Sequence, residues 1–166
     1  MKGLSKKEVE IISDLEFRRK YYFTRGNIAS HFKNKKQLIN TIYNLAKKGR
    51  IIRLSKNKYF LIPIKARTGK WTDDPFILID EICDGENYFI GGWAAANYWR
   101  LTEQIPMQTD VYTTRRQGKF GILNNRIVFH RTTKKNLEKS VTKNSGRHSF
   151  RILSKEASKV WMKSRK

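Results

Sequence analysis

The chain has 166 residues, which suits one large domain or two small ones, and 39% of them are hydrophobic, enough to form a core. Its 36 lysines and arginines against 14 acids give a formal net charge of +22, which points to an anionic partner, with nucleic acid the first candidate. Wholesale disorder is excluded, and neither a membrane-length apolar run nor a secretory signal is present, so we expect a cytoplasmic protein with no membrane partner.

The charge is divided into blocks along the chain. Residues 1–70 carry a net +15, residues 71–113 a net −7 and residues 114–166 a net +14. An acidic block is a poor binding surface for a polyanion, so we expect residues 71–113 to have a structural role. With a linker near 66–70, the predicted domains are 1–65, 66–131 and a basic, partly helical C-terminal segment over 132–166.

Helix signals come first in chain order. Ser5 and Glu8 form a capping-box pattern, which predicts a helix reaching about Phe17. Thr24 is a plausible cap for a second helix, and Asn34 for a third that ends before Gly49. The predicted buried stripe of the third helix consists of Leu38, Ile42 and Leu45, with Ile39 and Ala46 beside them.

Two β-rich runs, 50–54 and 58–62, then flank a short polar turn. Three helices followed by a hairpin is the element order of a winged helix-turn-helix. In that fold the N-terminal part of the third helix enters the DNA major groove, and the hairpin, or wing, meets the backbone or minor groove. We therefore expect the first domain to bind double-stranded DNA.

The third helix carries the expected base and phosphate contacts. Lys35 and Lys36 occupy its first turn, where the helix dipole makes a cation cost about 0.3–1 kcal/mol, so a functional gain should offset them. A solvated polar face is the alternative interpretation. The predicted DNA-binding residues are Lys35, Lys36, Gln37, Asn40, Thr41 and Asn44 on the helix and Arg50, Arg53, Lys56 and Lys58 on the wing. Candidates for additional phosphate contacts are Arg25, Lys155, Lys159 and Lys163.

The second half predicts a mixed domain. Asp74 and Pro75 open a short helix that ends at Gly85, and residues 87–99 form a strand that runs into a helix of small residues. Further strands are expected near 108–113 and 126–131. In the basic segment, Lys155, Lys159 and Lys163 share one helical face. The predicted fold class is α+β.

Two groups of residues resemble the AbiEi-type antitoxins, predicted transcriptional regulators of phage-defence toxin-antitoxin systems. The resemblance rests on Leu45, Gly49, Arg50, Ile51 and Tyr59 at the helix-to-wing junction, and on Tyr88, Gly91, Ala95, Leu101, Thr102, Glu103, Gln104 and Pro106 in the second domain. The resemblance covers about 5–131. It implies an autorepressor that binds inverted repeats in its own promoter, with a nucleotidyltransferase toxin as a possible partner.

An enzyme is the rival interpretation. Asp80, Glu81, Asp84 and Glu86 cluster in the acidic block, but the Gly91-Gly92 pair lacks the following Asp-x-Asp that would hold Mg²⁺. The single cysteine and three scattered histidines offer no zinc spacing. We expect no catalytic residues, no metal and no cofactor. A nuclease, and a non-specific architectural or RNA-binding protein, remain the alternatives to a DNA-binding regulator.

Overall fold

A computed structural model describes residues 3–66 and 74–165. The chain divides into two compact units, Met1–Trp71 and Thr72–Lys166. The fold is of the mixed α+β class, with helices and one β-sheet in each unit. Over the described ranges, no helix is both long and apolar enough to cross a membrane.

The first unit packs helices on a small antiparallel sheet. Its sheet order is β1-β3-β2, and Phe23 on β1 pairs with Tyr59 on β3. In chain order the elements are α1 (Lys6–Phe17), β1 (Tyr22–Thr24), α2 (Arg25–Ile28), a 3-10 turn (Ala29–His31), α3 (Lys35–Lys47), β2 (Ile51–Arg53) and β3 (Lys58–Leu61).

Local capping fixes where these helices begin. The Ser5 hydroxyl accepts a hydrogen bond from the Glu8 amide at 3.3 Å, and the Glu8 carboxylate accepts one from the Ser5 amide at 2.6 Å, so the predicted capping box is confirmed. The Asn34 side chain caps α3 as predicted. Beyond α3, Gly49 has a φ of 68°, a left-handed conformation that glycine adopts without strain.

The core of the first unit includes Leu38, Ile42 and Leu45 of α3, packed with residues of α1 and the sheet. Two neighbours that the sequence had placed in this stripe lie outside it, because Ile39 is 41% exposed and Ala46 is exposed. The buried stripe of α3 is therefore narrower than its apolar sequence suggests.

The second unit is built on a six-stranded mixed sheet of order β6-β7-β5-β4-β9-β8. Strands β4 and β9 run parallel, as do β5 and β7, and the other neighbours are antiparallel. Its elements are α4 (Pro75–Cys83), β4 (Tyr88–Gly91), α5 (Gly92–Tyr98), β5 (Thr109–Thr113), β6 (Gly118–Ile122), β7 (Asn125–Arg131), α6 (Lys134–Leu137), β8 (Ser140–Ser145), β9 (His148–Leu153) and α7 (Lys155–Lys163).

The separate basic segment predicted over 132–166 is not a separate segment in the structure. It supplies β8 and β9, and β9 lies between β4 and β8 in the sheet. Phe150 and Ile152 on β9 are almost fully buried, so this basic stretch still contributes to the core. The linker predicted over 66–70 falls, from residue 67 onward, outside the described residues.

Candidate nucleic-acid interface

Helix α3 is fixed in the first unit by its cap and its buried stripe. The Oδ1 atom of Asn34 accepts a hydrogen bond from the Gln37 amide at 2.9 Å. Leu38, Ile42 and Leu45 are buried, which turns the opposite face of the helix outward. The side chains on the outward face are therefore presented on a rigid element.

The outward face of α3 is polar and basic. Lys36, Gln37, Asn40 and Asn44 are all exposed, and α3 contains no acidic residue. Lys35 is also exposed, although helical spacing puts it on a flank of the buried stripe. This face offers amide groups beside cations, the combination that reads base edges and phosphates.

Thr41 is less available than its neighbours. It is half-buried, and its hydroxyl donates a hydrogen bond to the Gln37 carbonyl oxygen at 2.9 Å. Of the six residues predicted on α3, Thr41 is therefore the one whose polar group is already engaged within the helix.

Two further side chains share this face and were missed from the sequence. Tyr43 is 64% exposed, and Lys47 is exposed in the last turn of α3. Their spacing from Lys36 and Asn40 puts them on the side away from Leu38 and Ile42, which is a signal the sequence contained. An exposed aromatic ring beside cations suits contact with sugar or base surfaces.

In the hairpin, Arg53 is used to hold the turn. Its Nε donates to the Ser55 carbonyl oxygen at 3.0 Å and its Nη2 to the Lys56 carbonyl oxygen at 3.2 Å. Lys56 at the tip is exposed, whereas Arg50 and Lys58 are half-buried. Of the three predicted wing cations other than Arg53, Lys56 is thus the most accessible.

Arg25 begins α2 and is positioned by the sheet. Its Nε donates to the Tyr59 hydroxyl at 3.2 Å, and the Tyr59 ring stacks on Phe23 with centroids 5.6 Å apart. A guanidinium at the first turn of a helix meets the positive end of the helix dipole. The tyrosine contact holds the cation there despite that cost.

The charges of the first unit are segregated. All four acidic residues of 1–70 lie in α1, and each has a partner within the unit. The pairs are Glu8 with Lys48, Glu10 with Lys7 and His31, Asp14 with Arg18 and His31, and Glu16 with the Ile64 amide. Since α3 and the hairpin carry no acid, the positive charge of the unit is concentrated on them.

The carboxylate pKa values follow these contacts. Burial raises the pKa of Glu8, but the hydrogen bonds from Lys48 and Ser5 outweigh it, and the net pKa lies below its ordinary value. The pKa of Asp14 is lowered by its hydrogen bond to His31 and by Arg18. Both acids therefore stay ionised at neutral pH, and their partners are Lys48 at the C-terminal end of α3, His31 and Arg18 rather than the lysines in the first turn of α3.

The remaining predicted cations belong to the second unit. Lys155, Lys159 and Lys163 are exposed on α7, and Ser158 on the other side of the helix is buried. The cations predicted to contact phosphates thus lie on both units, and most of them are on α3 and the hairpin that follows it.

The acidic cluster of the second unit is engaged in structural contacts. The Tyr88 hydroxyl donates to Asp80 Oδ1 at 2.6 Å, and Glu86 forms an ion pair with Arg115 at 3.2 Å. Asp84 ends α4 in a left-handed conformation with a φ of 56°. Within the described ranges, no group of three His, Cys, Asp or Glu side chains is arranged to hold a metal ion.

Comparison with known proteins gives a likeness of fold. No family model and no curated protein matches the chain. Among solved structures, the crystal structure of RV2827C protein from Mycobacterium tuberculosis is similar, with a TM-score of 0.58 and 11% sequence identity. The similarity covers 86% of this chain and 51% of that one, so this chain spans about half the length of that protein.

Proposed function

We propose that the first unit is a winged helix-turn-helix and that the chain is a sequence-specific regulator that binds double-stranded DNA. The segregation of charge supports this proposal most directly. Helix α3 contains no acid and presents Lys36, Gln37 and Asn40 outward, while the four acids of the unit all lie on α1. The element order and the β1-β3-β2 sheet, with a hairpin after α3, are those of winged helices.

In this proposal the residues divide by role. Gln37, Asn40 and Asn44 read base edges in the major groove, since their amides both donate and accept hydrogen bonds. Lys35, Lys36 and Lys56 contact phosphates and fix the register. Thr41 and Arg53 act indirectly, because each is already hydrogen-bonded within its own element.

The resemblance to AbiEi-type antitoxins extends the proposal to a cellular role. The regulator would be an autorepressor that binds inverted repeats in its own promoter, and its possible partner is a nucleotidyltransferase toxin. It would act by binding alone, in the cytoplasm, without catalysis or a cofactor. The proposal accounts for the high positive charge of the chain and needs no reaction centre.

The test is a titration of fluorescently labelled duplexes against the full chain. One duplex carries the sequence upstream of the gene, a second has that sequence scrambled, and a single-stranded RNA of equal length is the third probe. Specific regulation predicts that the upstream duplex binds at least tenfold tighter than the scrambled one at physiological salt, because specific sites commonly exceed non-specific binding by factors of about a thousand or more.

Each alternative gives a distinct result in the same titration. Equal affinity for both duplexes and for RNA would replace the proposal with architectural or RNA binding. Cleavage of any probe in the presence of Mg²⁺ would indicate a nuclease. A steep fall in affinity with rising salt is expected both for specific regulation and for architectural or RNA binding, so the salt dependence does not by itself separate them.

A further inference from the structure

An aromatic row crosses three neighbouring strands of the second unit. Phe89 on β4, Tyr112 on β5 and His130 on β7 are direct cross-strand partners. The Phe89 and Tyr112 rings stack at 5.1 Å with 10° between their planes, and the Tyr112 and His130 rings stack at 4.9 Å with 25° between theirs. The three rings are stacked on one another across the strands, so their faces are turned toward each other and their edges form an aromatic wall on one face of the sheet.

Glycine makes this wall possible at the end of β4. A Cβ atom on Gly91 would lie 2.7 Å from the Tyr112 ring, closer than real contacts allow. Gly92 follows with a φ of 61°, and a Cβ there would lie 2.8 Å from the Asp110 carboxylate. The two glycines therefore let the Tyr112 ring lie against the strand and open the space beside it.

A cavity of about 630 Å³ lies between this wall and α7. Phe89 and Tyr112 line it from the sheet, and Ala157 and Trp161 line it from the helix. Trp161 is braced edge-on by Trp93, with ring centroids 5.3 Å apart. The volume falls in the range of about 300–1,000 Å³ that is usual for small-molecule sites.

The lining is cationic as well as aromatic. Arg131 follows the row on β7, Lys139 precedes β8, and Arg165 lies with its guanidinium carbon 5.7 Å from the centre of the Trp161 ring. Thr132 and Asn136 add hydroxyl and amide groups to the same rim, and no carboxylate is among the described residues that line the cavity. Three cations around one cavity favour an anion.

We propose that this cavity binds a nucleoside phosphate, with the base packed against the aromatic wall and the phosphate held by Arg131, Lys139 and Arg165. A base can pack against the ring edges of Phe89 and Tyr112 and against the Trp161 ring, and its attached phosphate can pair with the cations. The same chemistry is carried by a free mononucleotide and by the terminal nucleotide of a single strand. The site lies in the second unit and does not depend on duplex binding by the first.

The experiment follows intrinsic tryptophan fluorescence of the full chain during titration with AMP, GMP, CMP and UMP, and confirms each affinity by calorimetry. Adenosine and inorganic phosphate are the fragment controls, and a 5′-phosphorylated oligodeoxynucleotide of six bases tests the strand-end source. We expect at least one mononucleotide to bind about tenfold or more tightly than either fragment, since each fragment loses one half of the contacts.

Charge-neutral variants test the assignment of the site. Lys139→Gln and Arg131→Gln should each weaken mononucleotide binding about fivefold or more, because each loses a charge-assisted contact. Lys119→Gln, an exposed change on β6 that does not line the cavity, should leave affinity within about twofold while removing the same charge. Thermal melting confirms that all three variants are folded.

Three results would overturn the proposal. The first is that no mononucleotide binds at about 5 mM, and the second is that inorganic phosphate binds as tightly as AMP. The third is that Lys139→Gln and Lys119→Gln lose equal mononucleotide affinity, which would mean bulk charge attraction. If the oligonucleotide binds about tenfold tighter than AMP, the strand end is the source; if AMP binds as well or better, the free nucleotide is. Both of the latter results support the site.

Discussion

The Nζ atom of Lys48 lies 2.6 Å from a carboxylate oxygen of Glu8. Glu8 is in the first turns of α1 and only 3% exposed, whereas Lys48 is the residue that ends α3. The same carboxylate closes the capping box at Ser5. One side chain thus caps one helix and anchors the end of another, the helix that carries the proposed base-reading residues.

This pair makes the stability of the first unit dependent on pH. The native pKa of Glu8 lies below its ordinary 4.5, so the ionised carboxylate stabilises the fold; this contribution is complete above pH 4.5 and is lost as the pH falls through the lower native pKa. Glu8→Gln should lower the free energy of unfolding by about 1–3 kcal/mol at pH 7. In urea titrations at pH 7 and pH 3, the gap between variant and wild type should shrink at the lower pH.

The control is Glu10→Gln on the same helix, whose carboxylate is exposed and pairs with Lys7 and His31. It should change stability at pH 7 by much less than Glu8→Gln. If the two variants lose equal stability at pH 7, the bridge from α1 to α3 does not have the role given to it here.

The lysines at the start of α3 should contribute to affinity without selecting sequence. Changing Lys35 and Lys36 together to Ala should weaken the upstream and scrambled duplexes by similar factors and reduce the slope of log affinity against log salt by about two units. The matched control is Lys6→Ala with Lys20→Ala, two exposed cations outside α3 and the hairpin. A loss confined to the upstream duplex would make Lys35 and Lys36 base-reading residues.

The amides of α3 should have the opposite effect. Asn40→Ala or Asn44→Ala should reduce the ratio of upstream to scrambled affinity about fivefold or more while the salt slope stays nearly constant, because a good base contact contributes about 1–3 kcal/mol of discrimination. Asn144→Ala on β8, also exposed, is the control. An unchanged ratio in both α3 variants would remove these two amides from the recognition surface.

Gly91 tests the packing of the second unit. Gly91→Ala should lower stability by about 1–3 kcal/mol, because its new methyl group would press on the Tyr112 ring in a packed sheet. Gly121→Ala on β6 adds the same methyl group where nothing lies within 4 Å. Thermal melting of the two variants compares them directly, and equal melting temperatures would mean that the Tyr112 ring moves aside freely.

Sequence signals located the elements of the first unit that depend on local chemistry. Ser5 and Asn34 were recognisable as caps because their partners are three residues away. Strand β1 was not predicted, since it has three residues and forms only by pairing with β3 much later in the chain. The narrower buried stripe of α3, with Ile39 outside it, likewise depends on which neighbours cover the helix.

In the second unit the missing information was long-range. Alternating burial in β7 was recognisable, but β9 was hidden in a basic stretch because its place beside β4 is set by strand pairing across the unit. The cavity could not be predicted for the same reason. Phe89, Tyr112 and His130 are far apart in sequence and become one row only through the register of three strands.

The place of β9 in the sheet also bears on how the second unit is made. Because β9 pairs with β4 on one side and β8 on the other, β4 keeps an open edge until residues 148–153 have left the ribosome. An open edge of buried, apolar strand is prone to pair with other chains. The first unit has its own core and can fold during synthesis, whereas the second cannot complete its sheet until β9 has been synthesised.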